Sequence, residues 1–347
     1  MNYNVVLLVD SSMIGGIETH LVELSKLLSR NHIECSILFY KHHCNQGFYD
    51  MLDKENISYD FLQGNINSLL KKLSSFNNQT VIHTHGYKAG ILGRIACKVT
   101  NKRCISTFHA GEAGTGKVKL YNKLDRWLCA LSTNFAVSNK IKDTLRNAHL
   151  MENFISLQHT KYIPPNNLNK PMRIGFVGRL SFEKGPDIFF QLAKNMQQNK
   201  SVEFHVFGQG PLQSDIPVLN NLHYHGLTDR GAIWEKIDVL LICSREEGLP
   251  MTLLEAMSQR KFIISSSVGA IPSIIEDSKT GFLMPVGDAN NCQKRIEQLL
   301  LLPNVQKLKM LDNAYNMLDE RFSGKKQFLL LQQAYTGQDV TEFLPNF

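Results

Sequence analysis

Arg245-Glu246-Glu247-Gly248-Leu249-Pro250-Met251-Thr252-Leu253-Leu254-Glu255-Ala256-Met257 decides how this chain folds. Ahead of it runs Ile237-Asp238-Val239-Leu240-Leu241-Ile242-Cys243, the near-continuous apolar pattern of a buried strand. Gly248 and Pro250 then mark a turn, and good helix formers follow from near Thr252. Glu247 sits on the loop and Glu255 in the first turns of the helix. In an open α/β sheet, ligands bind outside the carboxyl ends of the strands. Helix N-termini there offer N–H groups to anions, and carboxylates accept hydrogen bonds from sugar hydroxyls. The segment therefore reads as a seat for a ligand with both phosphate and sugar hydroxyls.

The same arrangement occurs upstream. Arg173–Val177 reads as a strand and ends in Gly178-Arg179-Leu180-Ser181-Phe182-Glu183-Lys184-Gly185, ahead of a helix from about Pro186. Two fixed cations, Arg179 and Lys184, at a strand end suit a diphosphate and can stabilise charge growing on a departing phosphate. Farther out, strand-like runs at 203–207 and 262–265 complete a second α/β unit with a helical tail.

The first half repeats the alternation. Val5–Val9 predicts a strand, and Gly15-Gly16 opens a helix to about Leu28, with Leu21, Leu24, Leu27 and Leu28 on one face. Strands are predicted at 35–40, 80–85, 104–108 and 135–138, with a helix over 90–99. Lys161-Tyr162-Ile163-Pro164-Pro165-Asn166-Asn167-Leu168-Asn169-Lys170-Pro171 is rich in proline and asparagine and reads as the linker. The expected architecture is two α/β sheets in tandem with a cleft between them.

Composition narrows the classes. The 347 residues are 43 % hydrophobic and 20 % charged, as in soluble globular proteins. No apolar run reaches the ~18 residues that span a bilayer, and Met1-Asn2-Tyr3-Asn4 lacks the basic start of a signal peptide. Seven scattered cysteines without CxxC spacing argue against a disulfide framework or zinc site and for a reducing compartment. The net charge of +7 lies entirely in the first half: residues 1–165 hold 19 Lys and Arg against 12 Asp and Glu, whereas 166–347 hold 19 of each. Such a bias points to an anionic partner, a lipid phosphate or a membrane surface. No aromatic-interleaved basic motif points to nucleic acid.

Three further groups carry chemistry. Gly15-Gly16 lets a phosphate approach the backbone where the first strand turns into its helix, although the full GxGxxG spacing is absent. His109 ends a strand and points toward the ligand crevice. His83 and His85, two apart on a strand, face one way and could start a metal site, but no Asp/His set completes it.

In this order, Gly15-Gly16-Ile17-Glu18, Val137-Ser138-Asn139, Gly178-Arg179-Leu180, Glu183-Lys184-Gly185, Phe207-Gly208-Gln209-Gly210-Pro211, His225-Gly226, the Glu247–Glu255 segment and Gly281-Phe282-Leu283 resemble the retaining family-4 glycosyltransferases of GT-B fold. The resemblance implies two Rossmann-like domains facing each other across a cleft. An acceptor domain spans 1–163, with a C-terminal helix at about 325–347 packing back on it, and a nucleotide-sugar domain spans 164–324. It implies a nucleotide-diphosphate-sugar donor, a glycan or lipid-linked acceptor, no cofactor and no metal. Glu255 would hold the ribose, and Glu247 the transferred sugar beside the N–H groups of Gly248 and Leu249. Arg179 and Lys184, after Gly178, would grip the diphosphate, with Gly15-Gly16 closing over it. His109 matches a Thr-Phe-His position beside the sugar. The implied mechanism is same-face substitution with retention, in which the leaving diphosphate takes the acceptor's proton.

Two departures stand out: Pro164-Pro165-Asn166-Asn167 replaces an Asn-Gly turn, and Ser273 stands at a common glutamate. The expected protein is cytoplasmic and peripheral on the inner face of a membrane. The alternatives are a non-catalytic nucleotide-sugar binder of the same fold and a metal hydrolase built on His83 and His85.

Overall fold

The computed structural model describes residues 3–10, 15–109, 116–157 and 171–340, with backbone alone at 116–119. The linker expected at 161–171, including the 163/164 boundary, lies outside the described residues apart from Pro171. The chain divides into two compact units, Met1–Ser156 with Ser323–Phe347, and Leu157–Phe322.

In the first unit the strands are β1 (Asn4–Val9), β2 (Cys35–Phe39), β3 (Ser58–Phe61), β4 (Thr80–His85), β5 (Arg103–Phe108), β6 (Thr133–Ala136) and β7 (Ala148–Leu150). The helices are α1 (Gly16–Arg30), α2 (Gln46–Lys54), α3 (Ile66–Ser75), α4 (Tyr87–Thr100), α5 (Gly116–Trp127) and α6 (Asn139–Lys142). Every strand pair is parallel, in the order β3-β2-β1-β4-β5-β6-β7. Residues Val5 to Val9 are all buried, as a central parallel strand requires. The expected α1 stripe, Leu21, Leu24, Leu27 and Leu28, is buried in one cluster with Val5, Leu7 and Val9. Edge strand β3, Ser-Tyr-Asp-Phe, alternates exposed and half-buried residues, a polar edge that blunts unwanted pairing.

The second unit has β8 (Met172–Val177), β9 (Val202–Phe207), β10 (Leu222–Gly226), β11 (Val239–Ile242), β12 (Phe262–Ser266) and β13 (Phe282–Met284). Its helices are α7 (Pro186–Asn195), α8 (Arg230–Lys236), α9 (Met251–Ser258), α10 (Ala289–Leu301) and α11 (Asn304–Phe322). The sheet is again all parallel, in the order β10-β9-β8-β11-β12-β13. Phe176, Phe189 and Phe204 fill its core with Ile264, Phe282 and Ile296. Helix α12 (Lys325–Thr336) belongs to the first unit. Its Phe328, Leu331 and Tyr335 join the core beside α1.

Each sheet reverses strand order once. In the first unit the chain runs outward from β1 to β3 on one side and from β4 to β7 on the other. In the second it runs from β8 to β10 and from β11 to β13. The crevices outside the carboxyl ends of β1 and β4, and of β8 and β11, are therefore the switch points where doubly wound sheets bind ligands.

Candidate functional site

The second switch point is built by two loops. After β8, a tight turn over Phe182–Lys184 ends at Gly185, which has φ +66°. A Cβ there would stand 2.3 Å from the carbonyl oxygen of Cys243. Only glycine lets this loop lie against the end of β11. Arg245 ties the same loops together: its N–H donates to Glu183 O at 2.8 Å, and its guanidinium forks onto Asp187 at 2.8 and 2.6 Å. Such a bidentate pair fixes geometry as well as charge.

This packing brings Lys184 to Glu247. Lys184 Nζ donates to Glu247 Oε1 at 2.7 Å, and Ser244 Oγ donates to the same oxygen at 2.7 Å. The Glu247 side chain is buried, at 7 % exposure. The loop is held from below by Gly269 (φ +57°), where a Cβ would stand 2.1 Å from Glu247 O, and Ala270 N–H donates to Gly248 O at 3.0 Å. Gly248 itself faces open space, with nothing within 4 Å of a Cβ placed on it. Helix α9 starts at Met251 with no side chain capping it. Leu249 is buried at the foot of this loop.

Glu255, also buried, accepts a hydrogen bond from the Arg230 guanidinium on α8. Sequence reasoning did not single out Arg230. It comes from a helix 25 residues earlier, and its only local signal is Asp229, whose side chain caps α8 through Gly231 N–H. Arg179, after Gly178, is exposed, and among the described residues no hydrogen bond or ion pair engages its guanidinium. The structure thus brings Lys184, Glu247, Gly248 and Leu249 into one cluster, with Arg230 and Glu255 on α8 and α9.

The first switch point has a different character. Gly15 N–H donates to Glu18 Oε2 at 2.7 Å, so this amide is satisfied within α1. Gly16 begins the helix and has open space where a Cβ would stand. Behind it lies a cluster of imidazoles from α1, β4 and the end of β5. His85 Nδ1 and His109 Nε2 share a hydrogen bond at 3.0 Å, and the His20 ring lies 4.7 Å from that of His109. Burial holds all of them neutral. It lowers His20 to about 4 and pushes His85 and His109 well below the ordinary histidine value, helped by neighbouring imidazoles.

The alternative that made His83 and His85 a pair of metal ligands is not met by the geometry. His83 has both nitrogens occupied, Nδ1 by Tyr335 Oη of α12 and Nε2 by Thr107 Oγ1, each at 2.8 Å. Among the described residues, the sets that place three ligand atoms within 4.8 Å of one another are His20, His85 and His109, and Glu203, His205 and His223. Sequence reasoning missed His20 and Tyr335. His20 lies four residues beyond Gly16, one helical turn along the same face, whereas Tyr335 reaches His83 only through the return of α12. Asp10, at the end of β1, is a further crevice carboxylate, held by Lys88 Nζ and His43 Nε2 at 2.6 Å each.

Two parallel sheets, each with polar side chains gathered at its switch point, define a two-unit doubly wound α/β protein. Residues 14–157 match the model of Glycosyltransferase Family 4, and residues 171–301 that of Glycosyl transferases group 1. The chain belongs to the family-4 glycosyltransferases and has their GT-B fold. It is similar to the O-antigen biosynthesis glycosyltransferase WbnH of Escherichia coli, 24 % identical over 79 % of this chain and 84 % of that one. It is 26 % identical, over 86 % of this chain and 89 % of the other, to a Campylobacter jejuni α-1,4-N-acetylgalactosaminyltransferase named for a diphosphoundecaprenol-linked saccharide. Among solved structures, HepE of Anabaena, in complex with UDP and glucose, superposes with a TM-score of 0.79 at 14 % identity, covering 96 % of this chain and all of that one.

Proposed function

We propose that this glycosyltransferase moves a sugar from a nucleotide-diphosphate-sugar to a lipid-linked, lipopolysaccharide or polysaccharide acceptor, with retention at the anomeric carbon and without a metal ion. The observation that carries this reading is the Glu247–Lys184 pair at the ends of neighbouring strands, beside an uncapped helix start. A ligand arriving there meets a cation, a carboxylate and backbone amides together, which suits phosphate next to sugar hydroxyls. Glu247, with the amides of Gly248 and Leu249, would hold the transferred sugar, and Glu255 the ribose. Arg179 and Lys184 would carry the charge that develops on the diphosphate, the task a metal performs elsewhere. Gly15, Gly16 and His109 stand at the first unit's own switch point, where a doubly wound sheet binds ligands.

The acceptor class rests on the relatives named for O-antigen and diphosphoundecaprenol-linked substrates and on the basic first half. The same bias supports a cytoplasmic enzyme resting on an anionic membrane face.

The test is a transfer assay with purified protein, a panel of UDP- and GDP-sugars and a diphosphate-linked oligosaccharide lipid. Transfer with the donor's anomeric configuration retained by NMR, at a rate unchanged by EDTA, is the expected result. Inverted product or abolition by EDTA would remove the mechanism. Donor binding with neither transfer nor slow hydrolysis would favour a non-catalytic nucleotide-sugar binder.

A further inference from the structure

Helix α5 is anchored by one face and leaves an apolar stripe on another. Its Asp125 is buried against Arg94 of α4, with Nη1 to Oδ1 at 2.6 Å. Arg94 Nε also donates to Ser106 Oγ at 3.0 Å and Ser132 Oγ at 2.9 Å. Leu128 and Cys129, just beyond the helix, are buried on the same side. The core-facing side is thus already occupied.

Away from it, Leu120 is 68 % exposed, Leu124 38 % and Trp127 76 %. They stand four and three residues apart, the spacing that aligns side chains along one helix face. Leu131, also exposed, continues the stripe past the helix end. Exposed Tyr121 widens it and stacks at 5.9 Å on exposed Tyr87 of α4. An apolar stripe at helical spacing that faces solvent marks an interaction surface.

Charge says what the partner is. Between residues 61 and 142 the sequence holds 13 Lys and Arg and two carboxylates, Glu112 and Asp125. Asp125 and Arg94 neutralise one another in the interior and both drop out, leaving 12 cations, of which Lys72 pairs with Asp60, against Glu112. Lys123 is exposed on α5 beside the stripe, and Arg126 is half-exposed. A helix with Trp and Leu on one face and cations flanking them lies in the headgroup region of a bilayer, its apolar side chains at the acyl boundary. Tryptophan favours that depth, and anionic lipid attracts the flanking cations.

We infer that the exposed stripe of α5, Leu120, Leu124 and Trp127 with Tyr121 and Leu131, is the surface by which this protein docks on an anionic lipid bilayer. The inference rests on the proposed membrane-bound acceptor and adds to it the element that makes the contact.

The experiment uses the full chain and sedimentation with vesicles of phosphatidylcholine, alone or with about 30 % phosphatidylglycerol. Wild type is compared with L124S/W127S and K123E, with far-ultraviolet circular dichroism confirming each fold. Wild type should bind the anionic vesicles and lose most of that binding in about 0.5 M NaCl. L124S/W127S should weaken binding roughly tenfold or more, and K123E by a few-fold. In a W234F background, Trp127 fluorescence should shift to the blue on anionic vesicles. Wild-type binding that L124S/W127S leaves unchanged, with no blue shift, would place the contact elsewhere while sparing the membrane reading. No wild-type binding would remove both. A concentration-dependent dimer that L124S/W127S dissolves, without vesicle binding, would make the stripe a contact between copies and overturn the docking role.

Discussion

The two switch points of this chain differ in the side chains they present. In the second unit the crevice is charged: Lys184 holds Glu247 and Arg230 holds Glu255. In the first, imidazoles that burial keeps neutral lie at the ends of β4 and β5, and Asp10 forms an ion pair with Lys88 at the end of β1. One topology thus carries two electrostatic designs, because the strand-end loops are free to differ while the sheets stay alike. The charged crevice suits a donor that carries phosphates. The imidazole-lined one suits sugar hydroxyls, to which neutral ring nitrogens can donate or from which they can accept.

The largest expected effect comes from breaking the charged side. Glu247→Ala removes the carboxylate between Lys184 and Ser244 and should lower kcat/KM by about 10²–10³-fold, the scale of removing one preorganised electrostatic group. Steady-state kinetics with the donor identified in the transfer assay would check it. A change below tenfold would take Glu247 out of the reaction centre.

The imidazole-lined side should show itself in pH. An unfolded imidazole takes up its proton near 6.5, whereas His20 in the fold does so only at about 4. Between those values the unfolded state binds more protons, so stability is full above 6.5 and is lost as pH falls toward 4. For His20 alone the loss is about 3 kcal/mol. His83, His85 and His109 shift in the same direction, and His205 in the second unit also lies at about 4. Calorimetry from pH 7.5 to 4.5 should show a falling melting temperature, with a shallower slope in His20→Leu. Equal slopes in variant and wild type would mean that His20 takes up its proton at the same pH in the fold as in the unfolded chain.

The smallest effect sharpens the comparison. The Arg230 side chain is 30 % exposed, so solvent screens its pair with Glu255. Arg230→Ala should cost only about 1 kcal/mol in urea unfolding. A loss several times larger would make this pair part of the core and not a ligand-ready carboxylate.

The central strands were legible because strands covered on both faces are apolar throughout, as Val5–Val9 and Val239–Ile242 are. Edge strands β3 and β10 were not, since Ser58-Tyr59-Asp60-Phe61 and Leu222-His223-Tyr224-His225-Gly226 carry the polar residues that solvent-facing edges tolerate. At the charged site, Lys184 and Glu247 could be placed together because each follows a recognisable strand. Arg230 could not, because its approach to Glu255 depends on how α8 packs. The histidines mark the limit most clearly. Strand spacing puts His83 and His85 on one face, but it says nothing of Tyr335, which arrives 252 residues later and occupies His83.

The most direct test is a thermal-shift titration of wild type and Glu255→Ala with nucleoside diphosphates and nucleotide sugars. One nucleotide should raise the wild-type melting temperature by an amount that grows with concentration. The shift should be largely lost in Glu255→Ala, whose melting temperature without ligand stays close to wild type. A well-folded wild type that no nucleotide shifts, or an equal shift in the variant, would contradict a nucleotide-sugar site built on Glu255.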